Sequence, residues 1–404
     1  MRKRVFTIRA RPGRRPAAHP DARRVAELFG LERDGPAGDA AMYDGLRLSL
    51  SAGEVVAVVG PSGAGKSVLL DAVARRAPDA ARLDPAALAS CKLPAVAAVG
   101  AGELSLPERL ALLSRCGLAE ARALVTPARR LSGGQRHRLA YAHALAAAGR
   151  TPRPLVIADE FAATLDPATA WAFARQAGKL ARARRTALLL ATPRDELLAA
   201  MRPDRLVVKP LGAPARILER PDLPPVEPPG WRIERVRLRD YAPLSRFHYL
   251  AGPPAAHKRI WGVRREARGP CAGPGAPEVA GVLVVSPPVR NCRGRNAALP
   301  RRYTHRAPGL RRLNAEIECI SRVIVHPLFR GLGLATALVR HALATAGTPM
   351  VEALAAMGEV HPLFEQAGMY SFGRFPGRAR RSAGYVYYLA RARPYAEARS
   401  ARPE

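Results

Sequence analysis

Apolar runs alternate with amphipathic stretches along the first half of the chain, between about residues 45 and 209. Three of these runs are short and apolar at nearly every position: GEVVAVVG (53–60), PLVIADE (154–160) and TALLLAT (186–192). Strands with this pattern are buried on both faces, as in a parallel sheet that is covered by helices on either side. The pattern therefore predicts an α/β domain, which we place at residues 25–209.

A different order of elements follows residue 231. Several strand-like segments, among them RIWGVRRE and EVAGVLVVS, precede the helix-like GLGLATALVRHALATAG, and GYVYYLA ends the series. This order predicts an α+β domain at residues 231–392. Seven prolines between residues 209 and 231 break any regular element, so we predict a linker at residues 210–230. Residues 1–24 carry nine basic residues and one acid and are predicted to form an N-terminal arm, with a tail at residues 393–404.

The net charge of the chain indicates what kind of molecule it binds. The chain has 65 Lys and Arg against 33 Asp and Glu, a formal net charge of +32. A GC-rich genome explains arginine in place of lysine, but it does not explain the excess of bases over acids. Guanidinium groups match phosphate oxygens and release counterions, so this excess favours nucleic acid as a partner, with small anionic ligands as the alternative. Residues 289–313 are predicted to form a long basic loop, in which Arg301, Arg302 and Arg306 are candidate nucleic-acid contacts.

No run of about 18 uninterrupted apolar residues occurs in the sequence. The N-terminus is basic and lacks the apolar stretch of a secretory signal. Five scattered cysteines without a CxxC pair fit reduced thiols. We therefore expect a cytoplasmic protein with no membrane segment of its own.

The segment GPSGAGKS (60–67, the phosphate loop) lies between a predicted strand and a predicted helix. In this setting backbone N–H groups surround phosphates, Lys66 adds a positive charge, and Ser67 offers its hydroxyl to Mg²⁺. Asp159 ends a buried strand and is expected to hold the Mg²⁺ shell, and Glu160 is expected to polarise the attacking water. The predicted ATP contacts of this loop are Gly60, Pro61, Ser62, Gly63, Ala64, Gly65, Lys66 and Ser67.

The segment LSGGQ (131–135, the signature segment) precedes a basic, helix-forming run. Together with the phosphate loop and Asp159–Glu160, it resembles the ABC-type ATPase family over roughly residues 25–210. The resemblance implies an ATP-dependent homodimer in which the signature segment of one subunit faces the γ-phosphate that the other subunit binds. It also places Leu165 and Asp166 at the dimer interface. The residues implied to contact ATP across the dimer are Ser132, Gly133, Gly134 and Gln135.

The sequence departs from the ABC pattern at several points. Pro193 stands where the family has a switch histidine, and no glutamine occurs between the phosphate loop and the signature segment. Only 72 residues separate Gly60 from Ser132, so the helical insert that docks on a membrane partner is short. Tyr43 and Phe29 are the aromatic candidates for stacking on adenine. We expect slow hydrolysis, and the departures argue against a membrane partner.

The segment RGLGLA (330–335, the RGLGLA loop) joins a predicted strand to a predicted helix. It resembles the acyl-CoA-binding loop of GNAT-type acyltransferases, and HPLFEQAGM (361–369) resembles that family's closing signature. The resemblance covers about residues 231–392 and implies a GNAT-like fold that binds acetyl-CoA or another acyl-CoA by its pyrophosphate at a helix N-terminus. A strand–helix turn without a ligand is the alternative. The residues carried over are Arg330, Gly331, Leu332, Gly333, Leu334 and Ala335.

The same resemblance implies a base that takes a proton from the acceptor amine. Glu316 and Glu318 lie on the predicted strand before the RGLGLA loop, where they would share one face. The alternative is that both carboxylates only face solvent. Phe364 stands where the family has a proton-donating tyrosine, so His361 or a water would have to replace it.

The sequence thus predicts an ABC-type ATPase fused to a GNAT-like N-acyltransferase that acts on or near nucleic acid. Two alternatives stay open. One is an ATP-regulated acyltransferase that modifies a protein or a metabolite. The other is the ATPase subunit of a transporter whose membrane chains are separate.

Overall fold

The computed structural model describes residues 3–10, 19–28, 41–100, 102–223, 231–248, 252–254, 256–265, 278–300, 302–303, 306–377 and 384–392. Their strands are β1 (Arg4–Ala10), β2 (Tyr43–Leu50), β3 (Val55–Val59), β4 (Ala81–Arg82), β5 (Leu155–Ala158), β6 (Ala187–Ala191), β7 (Arg205–Val208), β8 (Arg216–Glu219), β9 (Trp231–Arg235), β10 (Arg259–Arg265), β11 (Val279–Ser286), β12 (Ile317–Val325), β13 (Met350–Ala355), β14 (Tyr370–Phe375) and β15 (Tyr385–Arg391). Their α-helices are α1 (Pro20–Leu28), α2 (Lys66–Arg76), α3 (Leu106–Arg115), α4 (Ala121–Val125), α5 (Gly133–Ala148), α6 (Pro167–Ala183), α7 (Glu196–Met201), α8 (Leu238–Ser245), α9 (Arg293–Ala298), α10 (Ala307–Glu316), α11 (Leu334–Ala344) and α12 (Leu363–Ala367).

The chain divides into two compact units. Their last boundary, between Pro225 and Val226, lies inside the predicted linker at residues 210–230, but unit 2 also includes two segments of the predicted first domain. Unit 1 comprises Met1–Ala86, Ala140–Thr164 and Ala177–Pro225. Unit 2 comprises Ala87–Leu139, Leu165–Gln176 and Val226–Glu404. The signature segment therefore belongs to the same unit as the C-terminal sheet, which the order of apolar runs along the chain did not indicate.

Unit 1 contains a six-stranded sheet in the order β4-β5-β6-β3-β7-β8. Its strands run parallel except that β8 is antiparallel to β7. Every residue of β3, β5 and β6 is buried, which confirms the predicted α/β arrangement. Leu69, Leu70 and Val73 of α2 pack into the same apolar core as the sheet. The phosphate loop is held where β3 leads into α2.

Two segments of unit 1 differ from the prediction. Residues 4–10, predicted to belong to a basic arm, form β1, which pairs antiparallel with β2. Phe6 and Ile8 alternate with exposed residues and enter the core, so the strand forms because of its buried face despite its charges. Residues 216–219, inside the predicted linker, form β8. Residues 1–2 and 11–18 of the arm, residues 224–230 of the linker and the whole tail lie outside the described residues.

Unit 2 contains a seven-stranded sheet in the order β14-β15-β13-β12-β11-β10-β9. Neighbouring strands are antiparallel except for the parallel pair of β12 and β13. All eight residues of β11 are buried, as expected for a strand in the middle of a covered sheet. Tyr241 and Leu244 of α8 pack with β10, β11 and β12 in one apolar cluster.

The predicted basic loop at residues 289–313 is wrong for most of its length. It contains α9 and the larger part of α10. Arg295 of α9 is only 1% exposed and pairs with the fully buried Glu352 of β13 at 2.9 Å. Tyr387 of β15 donates a hydrogen bond to the same carboxylate at 2.9 Å. One of the arginines that marked this segment as basic is therefore a core residue.

Candidate functional site

The phosphate loop lines a cleft of about 440 Å³ in unit 1. The wall of the cleft also includes Met42, Asp159, Glu160 and the segment 191–193. Of the eight loop residues predicted to contact ATP, Ala64 is buried beneath the loop, and the other seven line the cleft. The predicted contacts and the cleft therefore share seven loop residues, and residues such as Met42 and Val68 line the cleft without having been predicted.

Glycine is required in the phosphate loop for two different reasons. Gly60 has φ +145°, and a Cβ there would collide with the carbonyl oxygen of Lys209. At Gly63, with φ +77°, a Cβ would meet nothing within 4 Å, so the chain is open toward the cleft. Lys66 Nζ donates to the carbonyl oxygens of Gly60 at 2.7 Å and Pro61 at 2.9 Å. This arrangement gives an anion room and a positive charge at the start of a helix.

Two carboxylates face the phosphate loop across the cleft. Asp159 and Glu160 follow β5 directly, and both are exposed. Asp159 Oδ1 accepts a hydrogen bond from the Glu160 N–H at 2.9 Å. Glu160 has φ +45°, a conformation that is costly outside glycine and is concentrated at functional sites. Carboxylate and hydroxyl oxygens are ligands that Mg²⁺ accepts, so Asp159 and Ser67 fit the predicted metal position.

The wall beside the carboxylates lacks a donor at the position of the family's switch histidine. Pro193 lines the cleft and has no backbone N–H. Thr192 is fully buried, and its hydroxyl donates to the Phe161 carbonyl oxygen at 3.2 Å. The predicted loss at this position is therefore visible in the geometry.

Tyr43, one of the two predicted adenine-stacking residues, does not line the cleft. Tyr43 is 2% exposed, its hydroxyl donates to the Gly65 carbonyl oxygen at 3.1 Å, and burial raises its pKa to about 12. It supports the loop from the core, so the prediction that it stacks on adenine is wrong. Phe29 lies outside the described residues. Met42 lines the cleft instead, and no sequence motif pointed to it.

The signature segment forms the start of α5 in unit 2. The Ser132 N–H donates to Gln135 Oε1 at 3.1 Å, and the Gln135 N–H donates to Ser132 Oγ at 3.3 Å. This reciprocal pair caps the helix. Ser132 and Gly133 are exposed, and Gly134 packs against Thr169. Asp166 accepts a hydrogen bond from the Thr169 N–H at 3.0 Å, which caps α6 in the same unit.

The RGLGLA loop connects β12 to α11 in unit 2. Gly331 and Gly333 are exposed and have φ near +80°. Leu334 is 5% exposed and packs in the core, so it supports the loop from beneath, whereas Leu332 and Ala335 are half-buried. Arg330 Nη1 donates to Glu120 Oε1 at 3.0 Å, and its Nε donates to the Val325 carbonyl oxygen at 3.1 Å. The side chain predicted to meet a pyrophosphate is thus held by the protein itself.

The predicted pair of catalytic glutamates is not formed as expected. Glu316 is the last residue of α10, and β12 begins one residue later, so Glu316 and Glu318 do not share a strand face. Glu316 accepts hydrogen bonds from Arg302, Tyr303 and Arg312 at 2.8–2.9 Å. Burial alone raises the pKa of Glu316, but these hydrogen bonds outweigh it and lower the pKa.

Glu318 is 1% exposed and is paired with Arg259. The Gly347 N–H donates to the same carboxylate at 3.3 Å. A carboxylate that is buried and paired in this way has no open path to an acceptor amine. Glu316 and Oε1 of Glu318 are therefore occupied by arginine, tyrosine or backbone donors, whereas Oε2 of Glu318 is buried with no hydrogen-bond partner among the described residues.

The predicted nucleic-acid contacts are only partly described. Arg302 is engaged by Glu316, and Arg306 is exposed at the start of α10. Arg301 lies outside the described residues. A nucleic-acid partner remains a prediction from net charge. Among the helices of the described ranges, none has the length and apolar content needed to cross a bilayer.

Comparison with known proteins identifies the N-terminal part. Residues 43–89 match the family described as ABC transporter. The lipoprotein-releasing system ATP-binding protein LolD of Ruegeria pomeroyi is 36% identical over 219 residues, covering 45% of this chain and 92% of that protein. The macrolide export ATP-binding/permease protein MacB of Bordetella avium is 32% identical over 240 residues, covering 50% of this chain and 35% of that protein.

Among solved structures, the dimeric bacterial ABC transporter cassette MJ0796 is 18% identical, with a TM-score of 0.39, and covers 55% of this chain and 100% of that chain. The phosphate loop, the carboxylate pair and the extensive match to LolD agree with one another. They account for the N-terminal part of the sequence, which is an ABC-type ATPase. The chain therefore belongs to the family of ABC transporter ATP-binding proteins.

Proposed function

We propose that this chain is the ATP-hydrolysing subunit of a membrane-bound release or export system whose membrane-spanning chain is separate. The observation that carries the proposal is the cleft that brings Lys66, Ser67, Asp159 and Glu160 together. The relatives with extensive matches are named as parts of lipoprotein-releasing and macrolide export systems. These names overturn the expectation against a membrane partner. That expectation rested on Pro193, the absent glutamine and the short insert, which affect how ATP is coupled to a partner.

Hydrolysis in this proposal uses two copies of the chain. The phosphate loop N–H groups and Lys66 of one copy bind the phosphates of ATP. Ser132 and the first N–H groups of α5 from the second copy approach the γ-phosphate, because a helix N-terminus attracts anions. Ser67 and Asp159 would hold Mg²⁺, which neutralises phosphate charge when bound. Glu160 accepts a hydrogen bond from the attacking water and orients it.

Pro193 makes this hydrolysis slow. One missing donor to a developing negative charge costs about 10²–10³ in rate. Slow basal turnover suits an ATPase whose rate is set by a partner, and we propose that the membrane chain supplies the missing stimulation.

Affinity purification in detergent from cells that express the tagged chain tests the proposal. We expect a polytopic membrane protein to be cross-linked to the chain and to raise its ATPase rate several-fold after co-reconstitution in vesicles. The Lys66→Ala variant should retain the membrane protein and show no ATPase activity. Cross-linking that recovers no membrane protein, together with a rate unaffected by vesicles, would contradict the proposal.

A second function, acyl transfer, is favoured by the geometry of β12 and β13. Their parallel pairing runs from Ile317–Met350 to Ile320–Ala353. Beyond that point β12 continues to Val325 and β13 to Ala355 without pairing to each other. Backbone amide and carbonyl groups at the ends of β12 and β13 are therefore not paired with each other, and the end of β12 is separated from the RGLGLA loop only by residues 326–329. We propose that the amide-containing arm of an acyl-CoA binds between these strand ends. The acceptor is not part of this proposal, and nucleic acid stays a prediction.

Calorimetric titration of the full chain with coenzyme A tests this second function. Gly333→Asp places a negative charge on the RGLGLA loop and should reduce the affinity at least about tenfold by repelling the pyrophosphate. Gly373→Asp is a matched control, since both glycines have φ near +84° and nothing within 4 Å of an added Cβ. Equal affinities for the two variants would contradict a pyrophosphate at the RGLGLA loop.

A further inference from the structure

Arg330 is held by groups that lie next to the signature segment. Its guanidinium donates to Glu120, which precedes α4, and each side chain of this pair is 15% exposed. Gln176 of α6 covers the neighbouring Gly331, because a Cβ there would lie 2.6 Å from Gln176 Oε1. All of these residues belong to unit 2. The first residues of the RGLGLA loop therefore contact residues from the N-terminal, ATPase-like part of the sequence, although Gly331 itself is exposed.

Glu120 also contacts the signature segment. Its second carboxylate oxygen accepts a hydrogen bond from Gln135 Nε2 at 3.4 Å. The other end of the Gln135 amide accepts from the Ser132 N–H. A continuous chain of contacts thus runs from Ser132 through Gln135 and Glu120 to Arg330. Its two ends are the groups proposed to meet the phosphates of ATP and of acyl-CoA.

The charges around Glu120 make it a shared counter-ion. Arg138 of α5 is buried, and its Nη2 lies 3.5 Å from the Pro327 carbonyl oxygen just before the RGLGLA loop. Burial and the nearby Arg330 lower the pKa of Arg138 to about 10, while Glu120 opposes that shift. Burial also lowers the pKa of Arg330, again opposed by Glu120. Glu120 therefore acts on two guanidinium groups that burial desolvates, and Asp166 is a second carboxylate that acts on Arg138.

We propose that Glu120 is an internal ligand that competes with the acyl-CoA pyrophosphate for Arg330, and that ATP at the signature segment withdraws it. This inference rests on the acyl-transfer candidate and on the two-copy ATP site proposed above. A phosphate at Ser132 takes the N–H and the hydroxyl that now bond Gln135. The released amide turns to Glu120, the acceptor it already contacts, and Glu120 moves toward Gln135 and Arg138. Arg330 is then free for a pyrophosphate.

The coupling has a defined sign and must be reciprocal. ATP binding should tighten acyl-CoA binding, and acyl-CoA should tighten ATP-dependent dimerisation by the same factor. Coupling between two such sites amounts to about 5–150-fold in affinity.

Calorimetry of coenzyme A binding to the full chain, with and without Mg²⁺ and a non-hydrolysable ATP analogue, tests the inference. For the wild type we expect weak binding alone and at least fivefold tighter binding with the analogue. Glu120→Gln should bind tightly in both conditions, and Glu120→Asp, which keeps the charge on a shorter side chain, should lie between. Glu234→Gln, which removes a carboxylate from the Arg264 pair at 2.5 Å in the same unit, is the control and should behave as the wild type.

The outcomes separate the inference from the function on which it rests. If coenzyme A binds the wild type and Glu120→Gln equally, and the analogue acts equally on both, the competition is contradicted while the acyl-CoA site stands. If coenzyme A binds none of the four proteins in either condition, the acyl-transfer candidate is contradicted, and the inference falls with it. Tighter binding by Glu120→Gln that no longer responds to the analogue supports the inference.

Discussion

The phosphate loop and the RGLGLA loop have the same local construction, and their surroundings differ. Each joins a strand to a helix through glycines with positive φ. Beside the phosphate loop, the carboxylates Asp159 and Glu160 line an open cleft. At the RGLGLA loop, Arg330 is paired with Glu120, and the two predicted glutamate bases lie at the opposite end of β12, where they are paired with arginines. A glycine loop before a helix thus becomes a recognisable site through the groups that neighbouring strands bring to it.

The largest expected effect lies in the open cleft. Glu160→Gln removes the group that orients water while keeping its size, and we expect the ATPase rate to fall about 10²–10⁴-fold with ATP binding retained. Glu219→Gln, on β8 in the same unit and 72% exposed, is the control and should leave the rate unchanged. Steady-state phosphate release and nucleotide titration measure both quantities. A rate within threefold of the wild type for Glu160→Gln would remove the carboxylate from the mechanism.

The next effect concerns the buried pair of Arg295 and Glu352 in unit 2. Burial raises the pKa of Glu352, against Arg295 and Tyr387, which lower it. Glu352→Gln leaves Arg295 buried without a full counter-charge, and we expect a loss of about 3–5 kcal/mol in the free energy of unfolding of unit 2. Urea titration followed by tryptophan fluorescence measures the loss. Glu234→Gln alters a half-exposed pair whose Arg264 keeps Asp240 and Glu278 as partners. It should change the same free energy by less than about 1 kcal/mol, and equal losses would contradict the distinction.

The pH dependence of the free energy of unfolding tests how strongly the surroundings of the RGLGLA loop act on a buried histidine. His326 precedes the RGLGLA loop, and burial, followed by Arg330, Arg246 and Arg138, lowers its pKa to about 4. The unfolded chain, with the ordinary pKa near 6.5, binds the proton more readily, so stability is complete above about pH 6.5 and falls as the pH drops toward 4.

We expect this histidine to contribute of order 2 kcal/mol to that fall. The variant His326→Phe, which retains an aromatic ring beside Phe247 and Phe329, should show a shallower slope between pH 6.5 and 4. Denaturant titrations at several pH values measure it. Identical slopes would mean that neither burial nor the positive charges lower the pKa of this ring.

The smallest expected effect is a gain in ATPase rate from a substitution in the wall of the cleft. Pro193→His returns a hydrogen-bond donor to the wall of the cleft, and we expect the ATPase rate to rise about tenfold, less than the full value of a preorganised donor. Pro193→Ala supplies no side-chain donor and should show no comparable gain. A rise of similar size in both variants would trace the effect to backbone freedom and contradict the role given to the missing histidine.

Local patterns in the sequence were sufficient to predict which residues meet in the cleft at the phosphate loop. They were insufficient to predict the contacts around the RGLGLA loop. GPSGAGKS and LVIADE are each contiguous, and parallel strands bring their ends together, so Lys66, Ser67, Asp159 and Glu160 could be predicted to meet. The alternation of Phe6 and Ile8 carried the signal for β1, although the charge of the arm obscured it. Glu316 was predicted to lie on β12, but it is the last residue of α10, one position before the strand begins. It therefore does not share a strand face with Glu318.

Other features have no local signal at all. Arg295 lies in a run of arginines and is nevertheless a core residue, because its partner Glu352 is 57 residues away. Glu120 is 210 residues from Arg330, and neither lies in a pattern that indicates the other. Contacts of this kind depend on how distant helices and strands pack, which periodicity along the chain does not encode.

The most direct test of the two-copy ATP site is the oligomeric state of the Glu160→Gln variant in sedimentation velocity. We predict a monomer without nucleotide, a dimer with Mg²⁺ and ATP, and a monomer in both conditions when Ser132→Arg is added. A dimer without ATP, or an ATP-dependent dimer that tolerates Ser132→Arg, would contradict the claim that the signature segment of one copy meets the ATP of the other.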